Sequence, residues 1–194
     1  MNLQEAKAAV LGEIDRRADD AVSAAKHILN NPEPGFREQN TSRYVSEKLA
    51  ELGVPHENGL ALTGVKGMLI GGSSGPTVGV FGELDSLIVP GHPLSNPETH
   101  AVHACGHHTQ IGSLLTVAIG LQATGVLERL AGNVALLAVP AEEFIEIEYR
   151  DELRREGKLE FLGGKSEFVK LGVMDDVDLA MMTHTENQDW DYPR

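Results

Sequence analysis

Apolar residues recur at helical spacing from the start of the chain. Val10, Ile14, Ala21, Val22, Ala25, Ile28 and Leu29 fall on that spacing, and Asn30-Asn31-Pro32 follows them. This predicts one first helix, stopped where proline removes a backbone donor and restricts the residue before it. A turn at 32–35 leads to a second helix that Asn40 or Thr41 can cap, with Val45, Leu49 and Leu52 on one face and Gly53 as its stop. The two helices are expected to lie as a pair on one side of a sheet. After residue 60 the pattern changes to short β-type runs, 65–70 and 77–81, separated by a Gly-Gly-Ser-Ser-Gly-Pro turn cluster. Residues 89–100 are rich in Pro, His, Asn and Gly, and so long an irregular stretch is more often functional than accidental. A helix from near His107 to about Leu121 is apolar on nearly every face, which predicts burial on more than one side. The run 133–139 reads as a buried strand ending at Pro140, and the charged run 152–160 as a solvated helix face. A short helix over 166–171 ends at Gly172, and a strand over 177–182 delivers Thr183 and His184. Strands alternating with helices make this an α/β chain.

Charge narrows the partners. The 194 residues carry 16 Lys+Arg against 29 Asp+Glu, a net charge of −13, with 41% hydrophobic and 5% aromatic residues. At ~150 residues per domain this is one domain or slightly more, long enough to bury a sizeable core. No basic stripe is present to track a phosphate backbone, so no nucleic-acid partner is expected; small molecules and cations suit the acidic balance better. The single cysteine, Cys105, excludes an intrachain disulfide. The first twenty residues are charged every few positions, unlike a signal peptide. The longest mostly apolar run, 111–121, is interrupted by Gly112, Ser113, Thr116 and Gly120 and falls short of the ~18 residues of a membrane span. A soluble, cytoplasmic protein with no membrane partner is expected.

Three stretches that could carry chemistry all sit at strand ends. His100, His103, Cys105, His107 and His108 fall within nine positions, in a chain of eight histidines. Thiolate and neutral imidazole are the usual ligands of zinc and similar borderline metals. Cys105 and His107 are two apart, so extended backbone would point them the same way, and Gly106 permits a tight bend between them. A His-rich loop with one buried thiol is the plainer alternative. Glu142 and Glu143 follow the apolar strand directly. Adjacent carboxylates there repel unless something positive lies beside them, a condition met by a metal bound to one and a water activated by the other. Two exposed acids opening a charged helix would also account for them. His184 ends the last strand, where a lone histidine is more often structural than a ligand.

Taken in order, these stretches resemble the M20 metallopeptidase family, in its N-acyl-amino-acid amidohydrolase branch. Asn31-Pro-Glu-Pro-Gly-Phe36-Arg-Glu38 with Thr41 is similar to that branch's N-terminal signature, and Gly82-Glu83-Leu84-Asp85 to its acidic strand end. His103-Ala-Cys105-Gly-His107 resembles its metal motif, Pro140-Ala-Glu142-Glu143 its carboxylate pair, and 172–178 with His184 the strand that brings in a further histidine. The resemblance implies a three-layer α/β domain with a mixed, mostly parallel sheet and helices on both faces. It implies that Cys105, His107, Glu143 and His184 bind two divalent ions, Zn or Mn, with Cys105 bridging. Glu142 would be the general base, and Asp85 would orient a ligand histidine. The implied reaction is hydrolysis of an amide bond in an N-acyl amino acid or small peptide.

The resemblance also implies departures. Residues 1–194 would be the N-terminal portion of the catalytic domain, without the lid and dimerisation domain or the later part that supplies one more histidine. Little or no activity is therefore expected of this polypeptide alone, and the incomplete sheet should expose an edge and favour self-association. His108 stands where the branch has Asp and reads as an exposed bystander rather than a spare ligand. Phe144-Ile-Glu-Ile-Glu-Tyr149 replaces the glycines that usually follow the carboxylate pair and would narrow the site. The alternative function is a non-catalytic metal-binding or protein-interaction remnant of the same scaffold. A covalent role for Cys105 would leave the Glu-Glu pair without a purpose.

Overall fold

The computed structural model describes residues 1–186. The expected first helix is two: α1 (Leu3–Arg16) and α2 (Ala18–Leu29). Arg17 leaves helical geometry at φ −116°, ψ 22°, although its N–H still reaches the carbonyls of Glu13 and Ile14. Its side chain is drawn to Asp20 at 2.7 Å, and no Gly or Pro marks the break. Helix α3 (Gln39–Glu51) follows the turn. Asn40 and Thr41 lie inside its first turn rather than capping it. The orphan donors there are taken by the Glu33 carboxylate, which accepts from the Asn40 and Thr41 backbone N–H groups at 3.2 and 2.8 Å.

Strands β1 (His56–Leu60) and β2 (Gly64–Ile70) form a hairpin, followed by β3 (Ser73–Glu83). β1 has no signature in the apolar pattern, because its His-Glu-Asn-Gly-Leu sequence is largely exposed and carries no apolar alternation. A two-residue ladder of β4 (Leu87–Ile88) with β5 (Ala101–Val102) ties down the base of the loop over 89–100. Then come α4 (His107–Leu121), β6 (Ala131–Val139), α5 (Ile147–Arg155), α6 (Gly164–Lys170) and β7 (Leu179–Met182).

The main sheet has the order β1-β2-β6-β3-β7. β2 pairs antiparallel with both β1 and β6, whereas β3 pairs parallel with both β6 and β7. The sheet is therefore mixed, but evenly so rather than mostly parallel. The short connection between β1 and β2 enforces a hairpin, while the parallel pairs are joined through helices. β6 alternates between two cores. Leu136 and Ala138 join Val45, Leu49, Ile111 and Leu114 beneath α2, α3 and α4. Ala135, Leu137 and Val139 face the other way, against Phe81 and the wholly buried Phe168 of α6. Helices thus cover both faces of the sheet, giving three layers. The neighbouring ends of β3, β6 and β7 converge on one rim, where ligands of open α/β sheets bind.

Candidate metal centre

β3 ends in Glu83 and continues to Asp85, both buried, with the Leu84 N–H still bonded to the Val139 carbonyl at 2.8 Å. β6 ends at Val139, and the chain turns through Ala141 to present Glu142 and Glu143. Gly106 precedes α4 in the left-handed region, φ 92° and ψ 12°. The backbone thus bends sharply between Cys105 and His107 rather than running extended, yet both side chains meet His184. The Cys105 Sγ lies 3.4 Å from His184 Nε2, and the His107 and His184 rings are 6.0 Å apart between centroids.

His107 is the hub. Its Nδ1 is 2.9 Å from the Asp85 carbonyl oxygen and donates to it, which turns Nε2 toward the rim. Around Nε2 lie Glu83 Oε2 at 2.9 Å, Glu142 Oε2 at 3.8 Å and Glu143 Oε1 at 3.9 Å. Donor atoms of Cys105, His107 and His184 all lie within 4.8 Å of one another, and so do those of Glu83, His107 and Glu142. Glu143 belongs to neither triplet, but its carboxylate hydrogen-bonds the Cys105 thiol and its N–H donates to Asp85 Oδ2 at 2.9 Å.

Electrostatics make this arrangement costly without a cation. Burial alone would depress His107, but the carboxylates of Asp85 and Glu83 outweigh it and push its pKa up to about 10. Burial likewise opposes ionisation of Glu83, and hydrogen bonds from His107 and Lys165 overcome it, holding the acid down to about 2. The Cys105 thiol is pushed up to about 12 by burial, by its bond to Glu143 and by the surrounding negative charge. Glu142 is raised by burial and by Glu83.

The donor set fits a divalent ion. Three carboxylates lie within 3.9 Å of the buried His107 Nε2, more negative charge than one ring nitrogen can partner. The 3.4 Å between Cys105 Sγ and His184 Nε2 is close to the ~3.6 Å that a thiolate at ~2.3 Å and an imidazole at ~2.1 Å subtend about one tetrahedral zinc.

No family model matches the chain. It is 32% identical over 172 residues to thermostable carboxypeptidase 2 of Saccharolobus solfataricus, covering 86% of this chain and 39% of that protein. It is 28% identical over 175 residues to the N-acyl-L-amino acid amidohydrolase of Geobacillus stearothermophilus, covering 88% and 42% of the two chains. Among solved structures, a Bacillus subtilis protein described as a dinuclear metal binding peptidase from the M20 family superposes with a TM-score of 0.67 at 20% identity, over 87% of this chain and 43% of that one. The chain belongs to the M20 metallopeptidase family. It spans about two fifths of the length of these relatives, 39% and 42%.

Within this M20 chain the structure gathers Asp85, Cys105, His107, Glu142, Glu143 and His184 at one rim. Two further neighbours join them to which the motifs assign no role. Glu83 lies two residues before Asp85, so strand alternation places it on the same face, a signal present in the sequence. Lys165, at the start of α6, pairs with Glu83 and lies 3.7 Å from Glu142 Oε1. It supplies the positive charge that the adjacent carboxylates need, and only tertiary packing brings it there. His108 is half-buried rather than exposed, because its ring packs toward His103, 5.6 Å away between centroids, and it belongs to neither triplet. Phe144 is 65% exposed and walls a cleft of about 460 Å³ beside Glu142.

Proposed function

We propose that this M20 chain is part of a metal-dependent hydrolase acting on amide bonds of N-acyl amino acids or small peptides. The observation that carries the reading is the crowd of donor atoms about His107 Nε2, with Glu142 at its solvent-facing side. In this reading Cys105, His107, Glu143 and His184 would hold a pair of divalent ions, Zn or Mn. Softness favours zinc at the thiolate, while the carboxylates tolerate manganese. Residues 1–194 then correspond to the N-terminal portion of the catalytic domain.

Bound divalent metal supplies Lewis acidity toward the scissile carbonyl and the attacking water. The chain's own residues do the rest. Glu142, with its side chain 36% exposed, takes the water proton and passes it to the leaving amine. Its raised pKa suits a group that must both accept and donate. Asp85 fixes the His107 ring so that Nε2 stays directed at the donor cluster. The cleft beside Glu142, walled by Phe144, Phe161 and Leu162, suits an apolar acyl group.

Little or no turnover is expected of these 194 residues by themselves, because His184 and Glu142 are open to water that screens the site. The exposed edge of β7, with Leu179, Met181 and Met182 at the surface, supports self-association. A cytoplasmic location suits a chain that needs no disulfide; no helix among the described residues is long and apolar enough to cross a membrane.

Amine release from N-acyl amino acids, measured on the protein in its complete encoded form loaded with Zn²⁺ or Mn²⁺, tests this function. Turnover is expected, and Glu142→Gln should lower it by about 10²-fold or more with metal content unchanged. Metal binding with no amide hydrolysis would contradict the enzyme and favour a non-catalytic metal-binding scaffold.

A further inference from the structure

The run from Glu142 to Phe161 is densely charged, yet one of its cations never meets water. Arg150 of α5 is 0% exposed. Its Nη1 donates to the Leu162 carbonyl at 2.9 Å and to the Ala141 carbonyl at 3.4 Å, and its Nη2 donates to the Glu143 carbonyl. The guanidinium therefore spans the two residues that flank Glu142.

That backbone needs holding. Ala141 has φ 50°, in the left-handed region a side chain disfavours. Its N–H donates to the buried carboxylate of Glu38 at 2.8 Å, and the Glu143 N–H donates to Asp85 Oδ2 at 2.9 Å. Three buried ionisable side chains thus grip 141–143 from beneath, Glu38 and Asp85 by its donors and Arg150 by its acceptors. Burial pulls the guanidinium's pKa down, and nearby acids, Asp85 first, offset only part of that. The turn over 32–38 is shaped around this contact. Phe36 lies under the guanidinium, 5.4 Å from Cζ to the ring centroid. A Cβ on Gly35 would come within 2.8 Å of Ala141 Cα and closer still to Nη2.

We propose that Arg150 is a positioning residue for the carboxylate pair, fixing the backbone from which Glu143 and Glu142 reach the metal centre. This rests on the reading of Glu143 as a metal ligand. Only a planar fork can bridge two carbonyls in this way; an ammonium is a point donor. The bulky segment after Glu143 thereby gains a further role, because α5 carries the cation that locks the turn.

Zinc affinity of the folded 194-residue chain, measured by competition with a chromophoric chelator, tests this. Arg150→Met should weaken zinc by about tenfold or more, and Arg150→Lys should recover only part of that loss. The distinguishing result is the double variant: in a Glu143→Gln background, Arg150→Met should change affinity by less than about twofold, since the ligand it positions is already gone. A general structural role would instead lower affinity by the same factor in both backgrounds and overturn the proposal. So would a folded Arg150→Met protein that binds zinc within about twofold of the parent. If Arg150→Met does not fold, Gly35→Ala, which presses on the guanidinium, is read out in the same cycle. If Glu143→Gln binds zinc as the parent does, the ligand reading fails and the proposal with it, whereas Glu143→Gln weakening zinc while Arg150→Met does not sinks the proposal alone.

Discussion

Asp85 holds His107 through a single ring nitrogen. Its carbonyl oxygen is 2.9 Å from Nδ1 and its carboxylate Oδ1 is 3.3 Å from the same atom. This fixes the ring's orientation, leaves Nε2 for the donor cluster, and places a negative charge behind a nitrogen that would bind a cation in front. A carboxylate behind a ligand imidazole raises its basicity and secures its tautomer.

The protonation states give the first expectation. Without metal, a thiol pushed up to about 12 and an imidazole pushed up to about 10 both hold their protons at neutral pH. A metal must displace them, so binding at pH 7 should release about two protons, and apparent affinity should rise steeply with pH and fall as acid restores them. Calorimetry in buffers of different ionisation enthalpy measures the count. No proton release would be incompatible with Cys105 and His107 as ligands.

Lys165 gives an expectation with two opposite signs. Its ammonium pairs with buried Glu83 and lies near Glu142, so it competes with any cation for the same negative charge. Lys165→Met should tighten divalent-metal binding by about two- to tenfold. The same change should destabilise the metal-free protein by about 1 kcal/mol or slightly more, because Glu83 loses a partner. At 41% exposure, solvent screening keeps that cost below the one for a fully buried pair. Chemical denaturation with and without metal separates the two effects, and weaker metal binding in Lys165→Met would rule out the competition.

The strand-end motifs are legible because each functional group is delivered by its own local element. Apolar runs at 133–139 and 177–182 announce strands, and the polar residues at their C-terminal ends must then sit at a rim. The long buried helix α4 is equally plain from its apolar faces. The features that stay hidden depend on packing. Arg150 lies among charges that look solvated, and nothing in the run shows that Phe36, Gly35 and Ala141 close over it. The cap of α3 comes from Glu33, six residues before the helix and outside any local capping pattern. The break at Arg17 leaves no trace in composition, because the apolar positions continue past it.

Glu38 adds a pH dependence to stability. Burial, with Asp85 nearby, pushes its pKa up to about 8, against ~4.3 for an unfolded glutamate. The folded state therefore keeps a proton that the unfolded chain has lost. Its contribution is fully present below ~4.3 and declines as pH rises through that window to about 8. His107 acts in the same direction between ~6.5 and about 10. Below ~6.5 the buried His103, pushed down to about 3, and His108, also lowered by burial, act in the opposite direction, because the unfolded chain takes up protons that the folded state refuses. Thermal unfolding with chelator present should therefore show Tm falling from pH 7 to pH 8, and Glu38→Gln should shift the slope between pH 5 and pH 8 toward rising Tm. An unchanged slope in Glu38→Gln would show that Glu38 is ionised in the native protein.

The most direct measurement is anomalous diffraction from crystals grown with Zn²⁺. A peak is expected about 2.3 Å from Cys105 Sγ and about 2.1 Å from His107 Nε2, with His184 and Glu143 turned toward the ions. Zinc bound elsewhere on the surface, with His107 Nε2 free of any ion and these four side chains facing apart, would contradict the shared metal centre.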